Sequence, residues 1–362
     1  MRIVNFMPVH RTAPVSLRLL EGNLSAAGEA LEAVAAAEEV WALVPSTAPG
    51  LASSLAAAAP AAHVVEADPA IGFVYLNDTA ALKLIAGEKP IPSAVTGAAG
   101  VEVITGEELL GGREEKLVWL DGADGPVSCP RVATARALIE AAGADADAVR
   151  AVYLGYPQGA LITPDRFDDE VVLTSDYARL LGPGSCPAQA LSDICGLYRA
   201  ETCGRCVYGH EGSHQLNAVV ADICRDRGRR GDVELMRDLA PVMATQSLCE
   251  MGRIMGRTVM AFIEAFGEEI ELHYTKRTCR AGECAAFMTY HILPARCVGC
   301  TDCLDACEED AIAGRSRFVH VIDQKACTRC GDCVGACDEG AIVACGAEKP
   351  RTPPRPIPVK RR

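Results

Sequence analysis

No uninterrupted apolar stretch in the 362 residues is long enough to span a bilayer, which takes about 20. The Ala-rich run near 30–62 is broken by Glu38, Glu39, Pro45, Pro49 and Pro60. The opening residues MRIVNFMPVHRTAP have no apolar segment and no small-residue cleavage site of an export signal, so a cytoplasmic chain is expected. Positive charge is in short supply. With 35 Lys and Arg against 48 Asp and Glu, the net charge is −13, which argues against a nucleic-acid binder. There is no G-x-G-x-x-G loop whose amides could cradle a phosphate. No nucleophile–base pair or paired-carboxylate site can be picked out.

Cysteine is plentiful, with 18 residues. Disulfide scaffolds are short and exported, and a cytosolic chain keeps its thiols reduced, so dense cysteine here points to metal. The decisive feature is a duplication. CVGCTDCLDACEEDAI carries Cys297, Cys300, Cys303 and Cys307, and CTRCGDCVGACDEGAI carries Cys327, Cys330, Cys333 and Cys337. Each reads C-x2-C-x2-C-x3-C. Three thiolates on a tight loop grip one face of a cubane, and the fourth serves the other cluster. One [4Fe–4S] cluster is thus expected on Cys297, Cys300, Cys303 and Cys337. The second is expected on Cys327, Cys330, Cys333 and Cys307. Two zinc sites are the alternative, which the repeated spacing disfavours. The proline usual after the fourth cysteine is replaced by Glu308 and Asp338.

Periodicity predicts an α+β multidomain chain. Residues 1–110 read as α/β, with one helix over SLRLLEGNLSAAGEALEAVAAA and strands at VWALV, HVVEA and GFVYL. Residues 111–184 are mixed, with a helix at PRVATARALIEAAG and a strand at AVYLGY. Residues 185–276 are helical, residues 277–345 form the ferredoxin region, and the Pro- and Arg-rich residues 346–362 read as an extended tail. Cys129, Cys186 and Cys195 read as small buried hydrophobes. Cys279 and Cys284, with His273 and Cys345, form a candidate tetrahedral zinc set; a packed Cys pair is the alternative.

A second constellation, ETCGRCVYGHEG with Cys203 and Cys206 followed by SLCEMG with Cys249, resembles the iron–sulfur region of the flavin-carrying, NADH-oxidising subunit of respiratory complex I. It is still more similar to the beta subunit of NAD-linked, electron-bifurcating hydrogenases, which adds a C-terminal two-cluster ferredoxin. The RTCRAGECAAF segment is similar too. The resemblance covers roughly 115–345. It implies a β-grasp (soluble-ligand-binding) domain over 111–184, a helical cluster-binding bundle over 185–276, and a shortened flavin-domain remnant over 1–110. The family's third bundle cysteine falls on Gly209, leaving three thiolates. The fourth ligand stays open between His210 and Cys224, with a [3Fe–4S] cluster or an empty site as alternatives. The family's Gly-rich flavin loop has no counterpart in this sequence, so FMN is not expected. The implied role is an electron-relay subunit beside flavin- or hydrogenase-type and thioredoxin-like [2Fe–2S] subunits. A flavin-dependent NADH:acceptor oxidoreductase and a metal-stabilised scaffold are the rivals.

Overall fold

The computed structural model describes residues 1–93, 97–111, 114–346 and 349–359. They fall into two compact units. The first comprises Met1–Pro183, Ala190–Val219 and Val233–Gly267; the second comprises Gly184–Gln189, Val220–Asp232 and Glu268–Arg362.

The first unit begins with a parallel sheet. Strand β1 (Arg2–Asn5) is followed by α1 (Val15–Gly22), α2 (Leu24–Ala35), β2 (Val40–Pro45), α3 (Leu51–Ala58), β3 (His63–Ala67), α4 (Asp78–Ile85), β4 (Glu102–Thr105) and α5 (Gly106–Leu110). The strand order is β3-β2-β1-β4, every pair parallel, with Val4, Val40, Ala42 and Val44 packing on Leu20 and Leu31. The single long helix expected from residue 16 is two helices. Asn23 breaks it, because its side chain accepts from the Ala26 amide and caps the second helix. GFVYL is not a strand: Phe73–Leu76 form a 3-10 turn whose Phe73, Val74 and Tyr75 are buried. A short apolar run buried on all sides carries no period that would tell strand from turn.

A second sheet follows, of β5 (Glu115–Leu120), β6 (Pro126–Pro130), β7 (Val132–Thr134), α6 (Ala135–Ala141), β8 (Ala151–Leu154), β9 (Ala160–Ile162), β10 (Glu170–Val172) and β11 (Tyr177–Leu181). Its order is β6-β5-β11-β8-β9. The central β5–β11 pair is parallel and the flanking pairs are antiparallel, while β7 and β10 pair separately. Leu138 and Ile139 of α6 pack on Val118, Val152 and Leu154 of this sheet. Lys116 of β5 is 1% exposed. Its Nζ lies 2.7 Å from Glu107 Oε2 and also bonds Asp176, and both carboxylates are buried. Burial disfavours its charge, but the two carboxylates outweigh that and raise its pKa.

Four long helices supply the scaffold for the candidate sites: α7 (Pro187–Glu201), α8 (Val207–Cys224), α9 (Asp232–Gln246) and α10 (Glu250–Thr275). No helix among the described residues is long and apolar enough to cross a membrane.

The second unit contains β12 (Thr289–Ile292), α11 (Asp302–Asp305), β13 (Ile312–Ala313), β14 (Phe318–Val319), β15 (Val321–Ile322), α12 (Asp332–Gly335), β16 (Ile342–Cys345) and β17 (Ile357–Pro358). β12 pairs with β16, β13 with β15 and β14 with β17, all antiparallel. The tail is therefore not simply free, since residues 357–358 add a strand beside β14. Its residues 347–348 and 360–362 lie outside the described residues. The duplication extends to the backbone. Left-handed φ values recur as pairs at Gly299 and Arg329, Thr301 and Gly331, and Asp310 and Gly340. These turns fold the two loops the same way, curling each set of three cysteines.

Candidate metal centres

Two cavities lie in the duplicated domain. One is lined by Cys297, Cys300, Cys303 and Cys337, with His320 and Ile292. The other is lined by Cys327, Cys330, Cys333 and Cys307, with Tyr290 and Ile322. Each cavity thus takes three cysteines from one repeat and the last cysteine from the other. The sulfurs crowd one another. Burial, then Cys297, Cys300 and Cys337, pushes the Cys303 thiol up to about 12. Burial, then Cys327, Cys330 and Cys307, pushes Cys333 up to about 11. Four thiolates could share one such hollow only with a cation among them. Matching amides point at sulfur in both halves, from Ala311 N to Cys307 Sγ and from Ala341 N to Cys337 Sγ, each at 3.3 Å.

In the first unit, Cys206 directly precedes α8 and Cys249 directly precedes α10, so both sulfurs sit at helix N-termini. The Gly209 amide donates to Cys206 Sγ at 3.2 Å. Burial raises the Cys249 thiol. The Gly252 and Met251 amides oppose that shift, while neighbouring Cys203 and Cys206 add to it. Amide donors at helix N-termini favour thiolates, as iron ligation requires. A Cβ on Gly209 would lie 2.9 Å from Cys206 Sγ, so the position of the missing family cysteine is beside the site. The imidazole of His210 is turned to other partners: Nδ1 lies 3.3 Å from an Arg199 guanidinium nitrogen and Nε2 3.8 Å from Glu211. The structure gathers three sulfurs here without that ring. Cys224, the other candidate, is buried and lies in the second unit.

The third constellation corrects the sequence reading. Cys186, His273, Cys279 and Cys284 are all buried, and their ligand atoms lie within 4.8 Å of one another. Cys345, expected in this set, is not among them. It ends β16, where Thr289 Oγ1 donates to its carbonyl. Cys186, expected as a plain buried hydrophobe, takes the fourth place. Cys186 Sγ is 3.3 Å from His273 Nε2, and Cys284 Sγ is 3.5 Å from both. A tetrahedral zinc bonded at about 2.3 Å to sulfur and 2.0 Å to nitrogen spaces its ligands by about 3.5–3.8 Å. The observed spacing is within a few tenths of an ångström of that. His273 Nδ1 donates to the Ile270 carbonyl at 3.1 Å, so Nε2 is the nitrogen that faces the sulfurs, where a cation would take the place of its proton. Burial would lower the His273 pKa, but hydrogen bonds with Cys186 and Cys279 raise it to about 10. The same kind of contact, from Cys186 and Cys284, holds the Cys279 thiol far below its usual range. A buried thiolate beside an imidazole competing for protons is the signature of a site built for a cation. Among the described residues no other group of such ligands is drawn this close, so the eight ferredoxin cysteines are spaced more widely than one ion needs.

Residues 189–273 match the NADH-ubiquinone oxidoreductase-F iron-sulfur binding region, and residues 296–342 match a 4Fe-4S dicluster domain. The chain therefore carries [4Fe–4S]-binding regions. The HndC subunit of the NADP-reducing hydrogenase of Solidesulfovibrio fructosivorans is 28% identical over 186 residues, 49% of this chain and 38% of that protein. An NADH-quinone oxidoreductase subunit of Streptomyces coelicolor is 25% identical over 43% of this chain and 37% of its own length. The beta subunit of the NADP(+)-dependent formate dehydrogenase of Moorella thermoacetica is 31% identical over 28% of this chain and 13% of its own length. This chain thus spans less than two fifths of each of these relatives. The fold resembles a chain of the NAD+-reducing [NiFe]-hydrogenase in the H2-reduced state, with a TM-score of 0.63 and 16% identity over 76% of this chain and 56% of that one.

Proposed function

We propose that this chain is an iron–sulfur electron-relay subunit of a multi-subunit oxidoreductase. The observation that carries the proposal is the crossed ligand pattern, in which each ferredoxin cavity is closed by the last cysteine of the opposite repeat. It supports one [4Fe–4S] cluster on Cys297, Cys300, Cys303 and Cys337 and another on Cys327, Cys330, Cys333 and Cys307. Such clusters, when bound, supply one-electron transfer with little ligand movement. The chain holds the sulfurs, points the Ala311 and Ala341 amides at them, and screens them with Ile292, Ile312, Ile322 and Ile342. Cys203, Cys206 and Cys249 form a third, three-thiolate iron–sulfur site. Cys186, His273, Cys279 and Cys284 hold one structural zinc.

Residues 111–184 serve as a β-grasp-like interface; the mixed sheet with a central parallel pair and packed α6 supports this. Residues 1–110 form a docking layer. The partners are flavin- or hydrogenase-type and thioredoxin-like [2Fe–2S] subunits in the cytoplasm, in keeping with the complexes that the relatives' names describe.

Anaerobic purification tests the reading. Iron and sulfide should each reach about eight per chain from the dicluster domain alone, the colour should bleach with dithionite, and electrons should pass to a co-purified partner. A folded chain with stoichiometric zinc in place of iron overturns it. Clusters that reduce but pass no electrons favour a scaffold.

A further inference from the structure

The two halves of the dicluster domain correspond by a shift of 30 residues, Cys297 on Cys327 and Ile312 on Ile342. The same shift takes Ile292 of β12 onto Ile322 of β15, and so Tyr290 onto His320. Each of these residues lines the cavity built on the three-cysteine loop of the opposite half, Tyr290 beside Cys327 and Cys333 and His320 beside Cys297 and Cys303. The amide donors to Cys307 and Cys337 are alike in the two halves. The residue at 290 and 320 is not.

His320 is 1% exposed, and its Nδ1 lies 3.2 Å from Cys303 Sγ. Its Nε2 lies 3.3 Å from the Arg315 carbonyl oxygen. Room for the ring comes from Gly314, where a Cβ would stand 2.1 Å from it; the 30-residue counterpart, Ala344, carries a side chain. Among the described residues, no hydrogen bond joins Tyr290 to a cysteine sulfur.

An iron-bound cysteine sulfur can only accept a hydrogen bond, and so can a carbonyl oxygen. Of the two, the sulfur bears the negative charge, so the imidazole proton goes to Nδ1 and the donor faces Cys303. A donor on a ligating sulfur stabilises the form with one more electron over the form with one fewer, because the added charge spreads onto the sulfurs. Resting on the two-cluster reading above, we propose that His320 donates to Cys303 and makes the cluster of Cys297, Cys300, Cys303 and Cys337 the higher-potential member of the pair. Within the dicluster domain, electrons would then collect on that cluster.

The test is potentiometric titration of the anaerobic full chain, followed by EPR. His320→Phe and His320→Leu remove the donor. In each, the higher of the dicluster domain's two one-electron waves should fall by roughly tenfold in its reduction equilibrium, about 59 mV for one electron, while the lower one and any wave from the Cys203 site stay. His320→Asn, which keeps an N–H donor, should shift that wave less. Wild-type chain labelled with ¹⁵N only in histidine provides a readout independent of any variant's folding. One reduced-cluster signal should carry a weak ¹⁵N coupling and the other none. Waves that stay where they were, waves that move together, or absence of the coupling overturn the inference and leave the two-cluster reading intact. A wild-type chain that binds no iron overturns both.

Discussion

Replacing Cys186 by serine should release a zinc ion that Cys345→Ser leaves in place. Cys186 stands 87 residues before His273 in the chain. A metal held by both closes a loop of that length. On the loop-entropy relation for cross-links, such closure is worth about 4.6 kcal/mol at 25 °C, before any strain is subtracted. His273, Cys279 and Cys284 are near neighbours in sequence, so a metal kept by those three alone would forfeit nearly all of that term. The second unit, which holds all four ligands, is smaller than the 150–250 residues for which about 2–4 °C per kcal/mol holds, so the variant should melt at least roughly 10 °C below wild type. Elemental analysis with thermal melting checks both parts. Zinc should be stoichiometric in wild type and Cys345→Ser, and strongly reduced in Cys186→Ser. A chelator that lowers the wild-type melting point should leave that of Cys186→Ser unmoved. Full zinc and an unchanged melting point in Cys186→Ser, with loss in Cys345→Ser, would refute the geometric assignment and reinstate the expectation from sequence.

The crossed ligation can be tested with Cys307→Ser, which should disturb the cluster of Cys327, Cys330 and Cys333 and spare the other. Iron near four per chain from this domain, with one reduced EPR signal retained, is the expected result; loss of the signal assigned to Cys297, Cys300 and Cys303 would contradict it. Lys116→Met should strand Asp176 in the interior and leave Glu107 with Arg131 at 3.4 Å as its remaining cation, at a cost of about 3 kcal/mol in chemical denaturation; a loss below about 1 kcal/mol would mean water reaches the pair. His10, stacked 3.7 Å from Tyr177, is held by burial at a pKa of about 4, below the ordinary 6.5. Between those values the unfolded chain binds more protons, so stability is present above 6.5 and is lost as pH falls towards 4. Its share between pH 7 and pH 5 is about 2 kcal/mol. His10→Phe should remove that slope, read as the difference from wild type in denaturant titrations; identical slopes would show that His10 takes up its proton freely in the folded state.

The two-cluster domain was legible because three of its four ligands per cluster lie within seven residues of one another. Spacing alone constrains such a loop. The Cys/His set was half legible for the converse reason. Cys279 and Cys284 announce themselves by proximity, but Cys186 is brought in by the chain's path, and SCPAQ carries no local mark of a ligand. Cys345 was drawn into the expectation by sequence nearness, whereas in the fold it ends a strand paired with β12. His320 was missed as well. Its signal was present in the duplication, which aligns it with Tyr290, but only the 3.2 Å contact with Cys303 gives the difference a meaning. In the first sheet, β2 and β3 followed from their apolar runs. β1 and β4 were passed over because each is four residues long and the second begins with the acidic Glu102.

The pairing of β17 with β14 gives the last residues of the chain a structural duty. β14 backs onto the Cys297–Cys300 loop so tightly that a Cβ on Gly299 would stand 2.7 Å from the Phe318 amide nitrogen. Val359 N also donates to the Arg317 carbonyl at 3.0 Å, just before that strand. Residues 357–359 of the proline-rich end thus work as a latch on the wall behind the Cys297–Cys300 loop. Trimming it would unseat the strand that buttresses this loop, so that the hollow of Cys297, Cys300 and Cys303 would lose its shape while the first unit stays folded.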